Sequence, residues 1–181
     1  MKALITLANG FEQTEALTTM DIFCRSGMIE PTLASIDGNI EVTSSMGLVV
    51  KARKLLREIN PDEYDFLVLP GGKKGVDNLL ASKEVKELIK GFKDNNKDVY
   101  AICAAPSILG KYGYLKGLNY TVYPGFEGDY GNLVNEGVVQ DKNMITGRAM
   151  AFTIEFALKI VEARCGKEVA DKVLFSARGH I

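Results

Sequence analysis

The chain has 181 residues, 46% hydrophobic and 25% charged, the balance of an ordinary globular protein with room for a sizeable core. Its 22 Lys and Arg nearly cancel 23 Asp and Glu, for a formal net charge of -1, so no basic excess supports nucleic-acid binding. No apolar run approaches the roughly 18 residues of a membrane helix, and the three cysteines, Cys24, Cys103 and Cys165, are too scattered for a disulfide framework or a zinc pattern.

The first apolar run, residues 3–8, is followed too soon by Glu12 and Glu15 to be a signal peptide. It predicts a buried strand closed by Asn9-Gly10, in a cytoplasmic protein. From 12 to 26 the pattern turns helical, with Ala16, Met20 and Phe23 on one face and Gly27 as the stop. Residues 28–36 predict a second strand, and 40–50 a hairpin turning around Ser44-Ser45-Met46-Gly47. The run 66–69 ends in Pro70-Gly71-Gly72, as a buried parallel strand entering a turn would. Ser82 caps a helix to about 94, striped by Val85, Leu88, Ile89 and Phe92. A strand over 99–102 leads at once into Cys103 and a helix over about 105–112, with Pro106 in its first turn. Strands are expected near 121–123, 138–140 and 144–146, then helices over 151–164 and 167–175 on either side of Gly166. With no repeat or linker, 1–181 reads as one domain. The alternation predicts an α/β fold, a mainly parallel sheet with helices on both faces, whose sites form at the carboxyl ends of the strands.

Three places offer chemistry. In Ala101-Ile102-Cys103-Ala104-Ala105-Pro106 the cysteine is wedged between a strand and a helix start, as in nucleophile elbows, and the small neighbours permit the tight turn. A lone cysteine is ordinarily a small buried hydrophobe. The elbow setting favours a reactive thiol at Cys103, with its pKa lowered by the helix N-terminus; Cys24 and Cys165, each inside a helix, keep the ordinary reading. Pro70-Gly71-Gly72 is either a plain turn or a set of backbone amides suited to an oxyanion hole, and it matches no nucleotide-binding loop. Glu15 alone is an acidic residue favouring a helix N-terminus, although it too falls after a strand end. His180, one residue from the end, reads as a terminal histidine and not as a base.

Together these pieces resemble the ThiJ/PfpI superfamily, and specifically its DJ-one branch. The resemblance rests on Leu7-Ala8-Asn9-Gly10 with Glu12 and Glu15, on Val68-Leu69-Pro70-Gly71-Gly72, on Ala101-Ile102-Cys103-Ala104 with Pro106, and on Glu155-Phe156-Ala157-Leu158 with Ile160-Val161-Glu162. It implies a flavodoxin-like three-layer sandwich and a homodimer. It makes Cys103 the nucleophile, sets Glu15 against its sulfur, and gives amides of the Gly71-Gly72 turn and Ala104 an anion-binding role. Glu15 would then have to be protonated, because a carboxylate beside a thiolate raises the thiol pKa. No metal or organic cofactor is implied.

The chain also departs from the pattern. PfpI-type members, named as proteases, carry histidine where this chain has Ala104, which argues against a peptidase. The branch often has histidine before the proline that here is Pro124; this chain has Tyr123, a hydrogen-bond donor that could touch substrate or simply pack. An anion-binding arginine of the branch is replaced here by Met46, and Arg25 resembles another. Two functions compete. One is an enzyme acting on 2-oxoaldehydes such as methylglyoxal or their protein adducts, of glyoxalase or deglycase type. The other is a non-enzymatic redox sensor or holdase built on an oxidisable Cys103.

Overall fold

The structure is a computed structural model and describes residues 1–179, so His180 lies outside the described residues. In chain order its elements are β1 (Lys2–Leu7), α1 (Gln13–Arg25), β2 (Glu30–Ser35), β3 (Glu41–Thr43), β4 (Val49–Lys51), β5 (Lys54–Leu55), β6 (Phe66–Leu69), α2 (Lys73–Ala81), α3 (Lys83–Asp94), β7 (Asp98–Ile102) and α4 (Pro106–Lys111). β8 (Asn119–Tyr120), β9 (Asn132–Leu133), β10 (Val138–Asp141), β11 (Met144–Gly147), α5 (Thr153–Cys165) and α6 (Lys167–Ala177) complete it.

Seven strands form one sheet in the order β10-β11-β7-β6-β1-β2-β5. All neighbours run parallel except β10, which pairs antiparallel with β11. β1 is buried along nearly its whole length because both faces are covered. Ala3, Ile5 and Leu7 pack with Phe23 of α1 and Phe156, Ile160 and Val161 of α5. Leu4 turns the other way, toward Ile89 and Phe92 of α3 and Ile108 of α4. This two-sided burial is why the strand reads as a continuous apolar run instead of an alternating one.

The chain winds outward from β1 in both directions, through α1 to β2 on one side and from β6 through α2 and α3 to β7 on the other. Such a reversal leaves a crevice beyond the carboxyl ends of the two strands that flank it, here β1 and β6.

The hairpin expected over 40–50 forms as the antiparallel pair β3 and β4, outside the main sheet. One helix was not foreseen and one expected strand fails. Residues 73–81, unassigned in the sequence, form α2. Residues 121–123 form no strand: the Thr121 amide donates to the Thr146 Oγ1 and the Tyr123 amide to the Cys103 carbonyl. The segment therefore crosses the ends of β11 and β7 and does not pair along them, while the neighbouring β8 pairs with β9 in a separate ladder. Among the described residues no helix is long and apolar enough to cross a membrane.

Candidate active site

Cys103 follows β7 directly and takes a φ of 63°, a region that residues with a side chain rarely occupy. The strain is held from both sides. Its N–H donates to the Gly147 carbonyl at 2.8 Å, and its carbonyl accepts from the Tyr123 amide at 2.7 Å. The side chain packs at the seam of the two cores, touching both, and stays partly exposed.

The first turn of α1 brings Glu15 to the same crevice. Glu12 caps that turn, its side chain accepting from the Glu15 amide at 2.7 Å, and its own N–H donates to the Gly71 carbonyl at 3.0 Å. Glu15 is only 1% exposed. Its Oε2 accepts from the Gly71 N–H at 2.7 Å. Its Oε1 is buried without a hydrogen bond of ordinary geometry, although the carboxyl interacts with the thiol of Cys103. The fit leaves no room for a side chain at Gly71, where a Cβ would stand 2.6 Å from Glu15 Oε2 and 2.7 Å from Cys103 Cβ. Gly72 has a φ of +86° and lies against the Gly10 carbonyl and the Glu12 amide, so it too requires glycine.

The electrostatics correct one expectation. Burial raises the Glu15 pKa from 4.5 to about 7, against the lowering effect of its Cys103 and Gly71 contacts. The Cys103 thiol is not lowered but pushed up to about 12, first by burial and then by the charge of Glu15, while the amides of Gly72 and Ala104 pull it down. The helix after Cys103 has only six residues and cannot outweigh those effects. A thiolate therefore exists near neutrality only where Glu15 holds the proton, and the two groups titrate as a pair.

The crevice thus brings together Cys103, Glu15, Gly71, Gly72 and Ala104. It does not include Arg25 of the same chain, which ends α1 ten residues after Glu15, about 15 Å along the helix axis, and pairs with Asp21. Met46 is 78% exposed on the hairpin turn. Tyr123 is tied to Cys103 through its backbone, while its ring is 45% exposed and lies edge-on to Phe126. Sequence reasoning missed two supports, the Glu12 cap and the Gly147 carbonyl. The first had a signal, since a side-chain acceptor three residues before Glu15 marks a helix start; the second depends on β11 pairing with β7 and had none.

A strained cysteine at a strand-to-helix elbow, paired with a buried protonatable carboxyl at the switch point of a parallel sheet, defines a class of cysteine-centred α/β proteins. Within that class the chain belongs to the DJ-1/PfpI family, whose profile matches residues 1–163. It is 34% identical over 175 residues to Protein dj-1beta of Drosophila melanogaster, covering 94% of this chain and 93% of that one. It is 35% identical over 178 residues to the Parkinson disease protein 7 homolog of Danio rerio, covering 95% and 94%. Among solved structures, Drosophila melanogaster DJ-1beta superposes with a TM-score of 0.91 at 33% identity, covering 97% of this chain and 96% of that one. The oxidized DJ-1 of Toxoplasma gondii superposes with a TM-score of 0.90 at 31% identity, covering 97% of each.

Proposed function

We propose that this protein is a cysteine-dependent, cofactor-free enzyme acting on 2-oxoaldehydes such as methylglyoxal, or on their protein adducts, as a cytoplasmic homodimer. The observation that carries this reading is the Glu15 carboxyl, buried against the Cys103 thiol with a pKa raised to about 7, where a general acid–base works best at neutral pH.

In the reactive form Glu15 holds the proton and Cys103 is a thiolate. The sulfur bonds to the aldehyde carbon, the carbonyl electron pair moves to oxygen, and Glu15 protonates that oxygen to give a hemithioacetal. The amides of Gly72 and Ala104, which already bond to the sulfur, stabilise the charge as it develops. The Glu15 carboxylate next removes the proton from the former aldehyde carbon and delivers it to the adjacent carbonyl carbon through an enediol. One carbon is thereby oxidised to a thioester and its neighbour reduced to an alcohol. Water cleaves the thioester, releasing a 2-hydroxy acid and the thiol. The net change is addition of water, with no external oxidant or reductant. Tyr123 is assigned a substrate-positioning role, donating from its hydroxyl. A panel of 2-oxoaldehydes with Cys103→Ser as control tests the scheme, which fails if wild type and variant turn over equally or not at all.

A specific observation also favours the redox reading. The amides on the Cys103 sulfur would hold a sulfinate well, and a protonated Glu15 would donate to it; the Toxoplasma gondii relative is described as oxidized. Stoichiometric oxidation of Cys103 by peroxide in a protein inert toward the aldehyde panel would favour a sensor or holdase over an enzyme.

A further inference from the structure

Next to the candidate site, a cleft of about 780 Å³ opens between the turn of the β3–β4 hairpin and the first turn of α2. The proposed chemistry makes no use of it. Its walls carry Lys73, Lys74 and Asp77 of α2, Ser44 and Ser45 of the hairpin, and Gly10. The hairpin is fastened in place, because the Gly10 N–H donates to the Thr43 carbonyl at 2.7 Å and the Ser45 N–H to the Phe11 carbonyl at 2.8 Å. Ser44 is 5% exposed, and its Oγ accepts from the Leu48 N–H at 3.0 Å, which leaves the hydroxyl proton to donate.

The cleft is electropositive. Lys90, Lys159, Lys167 and Lys172 are each paired with a carboxylate on their own helix. Among the described residues Lys73 and Lys74 form no such pair, and Asp77 is the one carboxylate that lines the cleft with them. Two ammonium groups against one carboxylate leave a net positive wall. This wall adjoins the reacting centre, since Lys73 directly follows Gly72, whose amide bonds to the Cys103 sulfur, and consecutive Cα atoms are about 3.8 Å apart.

We propose that this cleft is an anion subsite for the far end of the substrate. The favoured substrates are then 2-oxoaldehydes that carry a carboxylate or phosphate a few atoms from the aldehyde, with Lys73 and Lys74 as specificity-determining residues. An ammonium suits either anion, because it acts as a point charge without a required bidentate geometry. This inference rests on Cys103 as the reacting centre and adds the substrate class.

The test has two arms so that the subsite and the enzymatic reading can fail separately. In the first, Cys103 is alkylated with anionic iodoacetate or neutral iodoacetamide and the rate ratio is read by mass spectrometry, which requires no turnover. Lys73→Gln/Lys74→Gln is expected to lower the iodoacetate-to-iodoacetamide ratio about 3–10-fold, the effect of removing two charges several ångströms away in water. The arginine double variant should keep the wild-type ratio, Asp77→Asn should raise it, and salt should move the wild type toward the glutamine variant. In the second arm kcat/KM is compared for 4,5-dioxopentanoate, which carries a carboxylate, and methylglyoxal, which does not; the anionic preference should fall by a similar factor in the glutamine variant. Equal alkylation ratios in wild type and glutamine variant overturn the subsite even if both aldehydes are consumed. A ratio that responds while neither aldehyde is consumed upholds the subsite and overturns the enzyme.

Discussion

At Cys103 geometry and burial pull in opposite directions. The positive φ lifts the side chain to the end of the strand, yet the seam between the two cores covers enough of the thiol to raise its pKa. Glu15 couples the two, because the pair shares one proton near neutrality and the thiol is ionised in the fraction where the carboxyl holds it. Iodoacetamide labelling of Cys103 is therefore expected to rise through about pH 7, where the pair loses its first proton, and then level off well below pH 12. Glu15→Gln should abolish the inflection near pH 7 and lower turnover on the order of 10²–10⁴-fold, since the amide cannot carry a proton; labelling that climbs steadily in the wild type, or turnover that survives the substitution, refutes the pairing. The same shift has a consequence for stability. The Glu15 pKa is higher in the fold than its ordinary 4.5, so the stability that its proton contributes is whole below that value and lost as pH rises through about 7. The shift corresponds to something on the order of 3 kcal/mol, and a chain of this size gains about 2–4 °C per kcal/mol. Glu15→Gln should thus melt several degrees above wild type at pH 8 and close to it at pH 5, by calorimetry. The cysteine was legible from its elbow alone. Its raised pKa was not, because the residues that bury it come from distant elements.

The elements that frame the site differ in how plainly they announce themselves. α3 was readable from its cap and stripe, and Ser82 accepts from the Val85 amide as a cap should. α2 was hidden because its first three residues, Lys73, Lys74 and Gly75, offer no apolar side chain and the stripe that follows is only Val76, Leu79 and Leu80. The missing strand at 121–123 looked regular, but its amides are satisfied by the Thr146 side chain and the Cys103 carbonyl, partners that local pattern does not reveal. The turn after β6 is testable by a single methyl group. Gly71→Ala places a Cβ against Glu15 and Cys103 while leaving an allowed backbone, and overpacking of this kind costs about 1–3 kcal/mol. Activity and the step near pH 7 in labelling should both be lost in a variant that still folds; retention of both would mean that the carboxyl and thiol do not depend on this contact. At the opposite end of β7, Asp98 is 9% exposed and accepts from Tyr100, Arg164 and Asn143, fastening the last turn of α5 to the sheet. Asp98→Ala leaves the Arg164 charge without its partner, a loss of about 3–5 kcal/mol. It should lower Tm by roughly 6–20 °C without altering the labelling profile of Cys103, since the substitution lies at the amino end of the strand.

For the molecule as a whole, the mainly parallel sheet with helices on both faces followed from strands alternating with helices, whereas the strand order and the surface that the proposed second copy would cover did not. In the fold Met20 of α1 packs partly into the core, with the face that Ala16 and Phe23 share, and Cys24 is exposed. The larger exposed apolar strip lies on the hairpin, where Met46, Leu48 and Val49 are 78%, 48% and 56% exposed. β3 and β4 form a two-stranded ladder apart from the main sheet, a unit of marginal stability on its own, so covering it with a second copy would bury apolar surface and brace the wall of the anion cleft at once. A homodimer through this hairpin predicts a sedimenting species of about 40 kDa, twice the 19.8 kDa chain, at micromolar concentration. Val49→Lys puts a charge on an exposed strand position that a monomer tolerates and an apolar interface does not. It should shift the boundary toward 19.8 kDa with circular dichroism unchanged. A wild type that sediments as a monomer rules out the dimer, and a Val49→Lys variant that remains dimeric moves the interface away from the hairpin.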